Sequence, residues 1–239
     1  MKKCFILFSI MLLVPMLFSC ENIKMVYNDT FNVYTWDDGK LIIKGFNYNK
    51  DTRNVFIGDT LPIRKSESGE IYRKPVYFID HEAFQNNFIL TSFIIENDNN
   101  FFNAIYFRAF ANCVNLTVVK FPNSLSIIDT GAFTNCVNLK EIELNGLVTL
   151  ENIAFGGCSK LKKVTFGQKI TKIGSYAFLN CSDNLEIYLT AENPPSLGFN
   201  VFYGVNSFKI YVPEELVNVY KSHSDWKEFA DNIYNYNWK

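Results

Sequence analysis

Histidine is nearly missing: His81 and His223 are the only two in 239 residues. That leaves little material for a metal or acid–base site built on imidazole. The chain has no glycine-rich phosphate loop, no His-Glu-x-x-His and no Gly-x-Ser-x-Gly. The familiar nucleotide, zinc-protease and serine-hydrolase signatures are therefore excluded. Charge of one sign is equally scarce. The formal net charge is −1, which gives no electrostatic reason to expect a nucleic-acid partner. Six cysteines occur, none in the close pairs from which zinc sites are built. What the chain does hold is apolar and aromatic matter: it is 48% hydrophobic, with 23 Phe and 13 Tyr. That suffices for one domain with a sizeable core.

The first residues, "MKKCFILFSIMLLVPMLFSC", read as a secretion signal: Lys2 and Lys3, an apolar run, then Ser19 before Cys20. At about 1.5 Å per residue the run from Cys4 to Phe18 is too short for a comfortable membrane-spanning helix. "LFSC" resembles the lipobox of bacterial lipoproteins, although Phe18 is bulkier than such boxes usually carry. The resemblance implies cleavage before Cys20, lipidation of Cys20, and a membrane-held protein of the bacterial outer membrane or cell surface. Residues 1–19 would be the signal peptide and 20–30 a tether. An ordinary secretory signal with an incidental cysteine is the alternative. Loss of Lys2 and Lys3 with the signal leaves a mature charge of −3.

Beyond the signal the chain repeats itself. Phe84, Phe110, Phe133, Phe155, Phe178 and, more weakly, Phe202 are spaced by 26, 23, 22, 23 and 24 residues. Ala83, Ala109, Ala132, Ala154, Ala177 and Val201 stand directly before them. Two residues after each come Asn86, Asn112, Asn135, Gly157, Asn180 and Gly204. Asn and Gly are the residues that tolerate positive φ, so the pattern predicts a short helical turn that buries Ala and Phe and then stops. Pairs such as Ile142 and Leu144, or Val164 and Phe166, alternate with polar residues and predict short strands with an apolar inner side. Cys113, Cys136, Cys158 and Cys181 follow the Asn/Gly column. They read as a row of small, buried, free thiols.

The phrases "IIDTGAFTNCVNLKEIEL", "LENIAFGGCSKLKKVTF" and "IGSYAFLNCSDNLEIYL" resemble the BspA-like leucine-rich repeat of bacterial surface proteins. The resemblance covers about residues 75–212. It implies an α/β solenoid, with short parallel strands on one face and short helices or turns on the other. Two departures are visible. Asn87 stands where the first rung should have Cys, and Leu185 falls one place late behind Asn184.

The flanks read as caps. In 31–74, two alternating stretches around Asp37-Asp38-Gly39 predict a β-hairpin, and Arg64–Gly69 a loop. In 213–239, Pro213, Glu214 and Glu215 suit a helix start, and Trp226 and Phe229 are expected to close the last rung.

The outward strand positions form the candidate binding face: Ile94, Val118, Lys120, Glu141, Glu143, Lys163, Thr165, Glu186, Tyr188, Lys209 and Tyr211. Glu141 and Glu143 share one strand face and could suggest a glycosidase pair, but lysines on the neighbouring rungs make a solvated mixed-charge surface the better reading. No catalytic residue, metal ligand or cofactor is expected. The chain therefore reads as a non-enzymatic surface lipoprotein that binds a protein, as the family resemblance implies for host extracellular matrix or surface proteins. Carbohydrate binding, with Tyr188 and Tyr211 stacked on sugar rings, is the second reading.

Overall fold

The computed structural model describes residues 23–27, 31–36, 40–46, 53–58, 60–64, 70–96 and 100–236. The signal, Cys20, the Asp37–Gly39 turn and residues 65–69 lie outside these. Within them the chain winds into a β-solenoid of about seven turns.

Each turn contributes a strand to two faces. One row runs in parallel through Leu41–Phe46, Val76–Ile79, Ala104–Ile105, Ile127–Ile128, Thr149–Leu150, Lys172–Ile173 and Ser196–Leu197. The other face holds the longer strands. Asn54–Ile57, Ser92–Ile95 and Val118–Lys120 form one parallel sheet. Glu141–Leu144, Lys163–Phe166, Leu185–Leu189, Phe208–Val212 and Ile233–Asn235 form a second. The ladder is interrupted between these two sheets.

The expected helices on the Ala-Phe side are turns, which corrects the α/β assignment. The backbone N–H groups explain why. Those of Phe84, Phe110, Phe133, Phe155 and Phe178 donate to carbonyls of the next rung, at Ala109, Ala132, Ala154, Ala177 and Val201. The N–H of Cys113, Cys136, Cys158 and Cys181 instead closes a local turn onto the preceding Phe carbonyl. Alternate donors are thus committed to the neighbouring coil, and an α-helix would need all of them internally. Asn86, Asn112, Asn135 and Asn180 have φ of 60°, 60°, 60° and 51°, and Gly157 and Gly204 have 75° and 77°. These are the left-handed bends the Asn/Gly column predicts. Asn184, at φ 64°, absorbs the extra residue of its rung and lets Leu185 turn inward, where it is fully buried.

The interior is one continuous apolar cluster. The six repeat phenylalanines stack along it at 5.0, 5.1, 5.4, 5.9 and 5.7 Å between ring centroids, all within 11° of parallel. Each contributes about 1.5–3 kcal/mol by burial and about 0.5–1.5 more by ring pairing. The four thiols are free and buried. Each donates to the carbonyl of a Phe one rung back, at 3.1 or 3.2 Å. Asn87, in the same column, turns its Oδ1 to the N–H groups of Ile89 and Leu90.

The amino-terminal end is closed by antiparallel pairing. Phe31–Trp36 pairs with Leu41–Phe46 as the hairpin reading expects. Ile23–Tyr27, which falls inside the expected tether, adds a strand on its other side. Leu61–Arg64 and Ile71–Lys74 form a second hairpin. The carboxyl-terminal end departs from a helical cap. It holds one six-residue α-helix, Val217–Ser222, two 3-10 segments, Glu214–Leu216 and Lys227–Asn232, and then the strand Ile233–Asn235. Tyr220 and Trp226 are fully buried there. The Tyr220 hydroxyl donates to the Ala191 carbonyl at 2.9 Å and Trp226 Nε1 to the Pro195 carbonyl at 2.7 Å.

Candidate binding face

The alternation along each strand decides which side chains face water. In Glu141–Leu144 and Lys163–Phe166 every second residue is buried, which leaves Glu141, Glu143, Lys163 and Thr165 outward. Parallel register then aligns these positions across rungs. One column reads Glu141, Lys163, Glu186, Lys209. Beside it a second column reads Glu143, Thr165, Tyr188, Tyr211, Tyr234. In the separate sheet Ile94 lies opposite Lys120 and Ser92 opposite Val118. The register thus brings together eight of the eleven positions expected from sequence and leaves Ile94, Val118 and Lys120 across the break.

Opposite charges alternate along the first column, so every cross-strand neighbour is favourable. Lys120 is engaged within its own sheet, with its Nζ 2.6 Å from Glu96 Oε1. That hydrogen bond, together with the Glu96 charge, raises the Lys120 pKa.

The second column ends in a tyrosine cluster. The Tyr188 and Tyr211 rings stack at 4.8 Å. Tyr236 stands nearly perpendicular to Tyr188 at 5.1 Å and lies 6.0 Å from Tyr211. Tyr234 lies 6.1 Å from Tyr211. Lys163 Nζ sits 5.1 Å from the Tyr188 ring centre and Lys209 Nζ 5.8 Å from that of Tyr234, both within cation–π range. The Tyr188 hydroxyl donates to Glu186 Oε2 at 2.9 Å. Burial first, and then this bond to a carboxylate, pushes the Tyr188 phenol pKa upward.

Tyr234 and Tyr236 escape the sequence reading. A signal for them exists: "IYN" at Ile233 follows "IYV" at Ile210 by 23 residues, which is one repeat step. The strand is an extra rung without its Ala-Phe turn. His81 has partners on its own rung and the next. Its Nδ1 lies 2.7 Å from Asp80 Oδ1, and its ring stacks on Tyr106 at 5.2 Å.

Among the described residues, no catalytic constellation is assembled at this face. Burial pushes the thiol pKa of Cys113 and Cys181 up to about 12, and those of Cys136 and Cys158 well above the ordinary range. Buried among apolar side chains, they are structural and inert. An open cleft of about 610 Å³ lies between Gln168, Thr190, Glu192, Pro213, Glu215 and Leu216; its lining offers two carboxylates and the Thr190 hydroxyl, which donates to the Phe166 carbonyl at 3.4 Å. Among the described residues no three His, Cys, Asp or Glu side chains are grouped to hold a metal, and no helix is long and apolar enough to cross a membrane.

The model of the BspA type leucine-rich repeat region matches residues 103–223, in six copies. The chain belongs to this family. Solved structures agree on the fold. The leucine-rich repeat protein TpLRR of T. pallidum is 20% identical with a TM-score of 0.57, over 87% of this chain and 95% of that one. A leucine-rich cell surface protein of Faecalibacterium prausnitzii is 21% identical with a TM-score of 0.54, over 78% of this chain and 55% of its own. The pneumococcal vaccine antigen PcpA is 21% identical with a TM-score of 0.57, over 88% and 49%. The BspA-type chain thus spans about half the length of the last two. No curated protein matches it.

Proposed function

We propose that this BspA-type repeat protein is a non-enzymatic cell-surface lipoprotein that binds a protein partner through its outer strand face. The carrying observation is the aligned pair of columns, alternating charges beside Tyr188, Tyr211 and Tyr234. Tyrosine is enriched among the anchors of protein interfaces, and solenoids commonly bind along such a face. The structures of a cell surface protein and a vaccine antigen with the same fold support a surface location. Host extracellular matrix or surface proteins are the partner class we assign.

The tyrosine geometry favours protein over sugar. A sugar platform needs an open ring face. Tyr188 has Tyr211 from the following rung on one side and the Lys163 ammonium from the preceding rung on the other. Neither face of the Tyr188 ring is therefore open to a sugar.

Anchoring rests on Cys20. Metabolic labelling with a fatty acid should mark the native protein and leave Cys20→Ala unlabelled; equal labelling would reject the anchor. For the face, Lys120, Glu143, Tyr188 and Tyr211 replaced together by alanine should abolish capture of matrix proteins while the melting transition remains cooperative. Undiminished capture would place the working surface elsewhere.

A further inference from the structure

The charge column has a symmetry that selects a partner. Read along the solenoid axis it runs Glu141, Lys163, Glu186, Lys209, and read backwards it is its own complement. Glu141 then meets Lys209 and Lys163 meets Glu186, each twice. We propose that this face binds a second copy of the same chain. The two-fold axis lies in the plane of the interface, parallel to the strands, between the strands of Lys163 and Glu186.

This operation leaves the strand direction unchanged and reverses the rung order, so charge column faces charge column. The tyrosine column then faces itself in reverse. Tyr211 comes opposite Glu143, whose carboxylate can accept a hydrogen bond from its hydroxyl, and Tyr188 comes opposite Thr165. The other face-to-face two-fold, along the solenoid axis, sets each rung against its own copy with the strand reversed, and so brings Glu141 against Glu143 of the second copy. Electrostatics therefore chooses one isologous arrangement over the other. Four or five strands spaced at about 4.8 Å, with four residues each at about 3.3 Å, make a patch on the order of 20 by 15 Å. Interfaces of that size are small, so the dimer is a weak one that forms at high local concentration, as on a crowded membrane surface. The inference rests on the outer strand face being the working surface, and it names a partner for that face.

Sedimentation equilibrium of the secreted chain tests it, with Cys20→Ala present so that acyl chains add no association. A monomer–dimer equilibrium is expected, weakening several-fold as salt rises from about 0.15 to about 1 M and the screening length falls from about 8 to about 3 Å. Lys163→Glu should weaken the dimer at least tenfold. The fourfold reversal E141K/K163E/E186K/K209E keeps the alternation along the column, so it should fold, as a melting curve checks. It should pair with itself and fail to pair with the unsubstituted chain, because reversed and native columns set like charges together at all four contacts. A chain that stays monomeric at every concentration overturns the proposal. So does a fourfold variant that mixes freely with the native one. Dimerisation without capture of any matrix protein leaves the inference standing and rejects only the foreign partner. Capture by a strictly monomeric chain does the reverse.

Discussion

At the level of single residues, the backbone carries two left-handed columns, and only one has a visible chemistry. The first is the Asn/Gly series. The second lies two residues before each repeat Phe, at Glu82, Arg108, Gly131, Ile153, Tyr176 and Asn200, with φ of 56°, 52°, 63°, 56°, 56° and 52°. The solenoid imposes this conformation because the N–H of each of the first five must reach a carbonyl on the next rung. A β-branched residue suffers most there, and the left-handed conformation costs an ordinary residue about 1–2 kcal/mol. Ile153→Asn should therefore raise stability by about 1 kcal/mol in chemical denaturation. A drop would mean that the Ile153 side chain contributes more than its backbone costs. Gly157→Ala should act in the opposite direction. A Cβ there would clash with the Asn135 Oδ1, and φ is 75°; a loss of about 1–3 kcal/mol is expected. The Asp80–His81 pair adds a pH signature. The hydrogen bond to Asp80 raises the pKa of His81 above its ordinary 6.5, while that of Asp80 is lowered below 3.8 by the His81 bonds despite opposing burial. The raised His81 pKa favours the fold below pH 6.5 and loses that contribution as pH climbs through its folded value. The lowered Asp80 pKa favours it above 3.8 and loses that contribution as pH falls through its own. The pair is fully effective between these two limits. NMR titration of His81 should give a midpoint above 6.5 that Asp80→Asn brings back down.

At the level of elements, what was readable was what repeats with a constant chemical identity. The Phe ladder, the buried thiols and the inward Ile and Leu positions recur with one residue class per column, so periodicity alone located them. The second left-handed column recurs in space but not in chemistry: Glu, Arg, Ile and Tyr share nothing that sequence can display. The expectation of helices failed for a related reason. A one-turn helix and a one-turn β-arc place Ala, Phe and Asn identically, and only the destination of alternate N–H groups separates them. The rung around Leu41–Phe46 and Asn54–Ile57 was hidden because it lacks the Ala-Phe phrase. Tyr234 and Tyr236 were hidden because their strand returns after the cap. Of the binding face, inward and outward positions were legible rung by rung, but the break between the strands of Lys120 and Glu143 was not, since the step across it, 23 residues, is like the others. The cap shows how a few bonds finish such an edge. The Leu197 N–H at the end of the short-strand row meets Asp225 Oδ2 at 3.2 Å, and Trp226 satisfies the Pro195 carbonyl. Trp226→Phe keeps the ring but strands that carbonyl, with an expected cost of about 1–3 kcal/mol. A melting temperature unchanged from the native one would show that water replaces the indole N–H.

At the scale of the whole molecule, a solenoid is a sum of rungs, each touching only its neighbours, and that makes the chain divisible in one specific way. Removing residues 132–153, one full step of the repeat, joins Gly131 to Ala154. Every column stays in phase. The left-handed position before the Ala-Phe pair is kept, and the Phe110 N–H, which now donates to the Ala132 carbonyl, finds the Ala154 carbonyl in its place. The two caps are untouched. Such a chain should fold, with a single but lower unfolding transition and an undiminished β signal by circular dichroism, because one nearest-neighbour interface and one rung have been lost and no apolar surface has been opened. Removing half a repeat from the same start puts turn residues against strand residues, breaks the Phe stack and reverses inside and outside beyond the cut. That chain should not fold. If both deletions unfold, the rungs are not interchangeable units, and the aligned columns on which the binding face depends would have to be held in place by the caps instead of by the repeat.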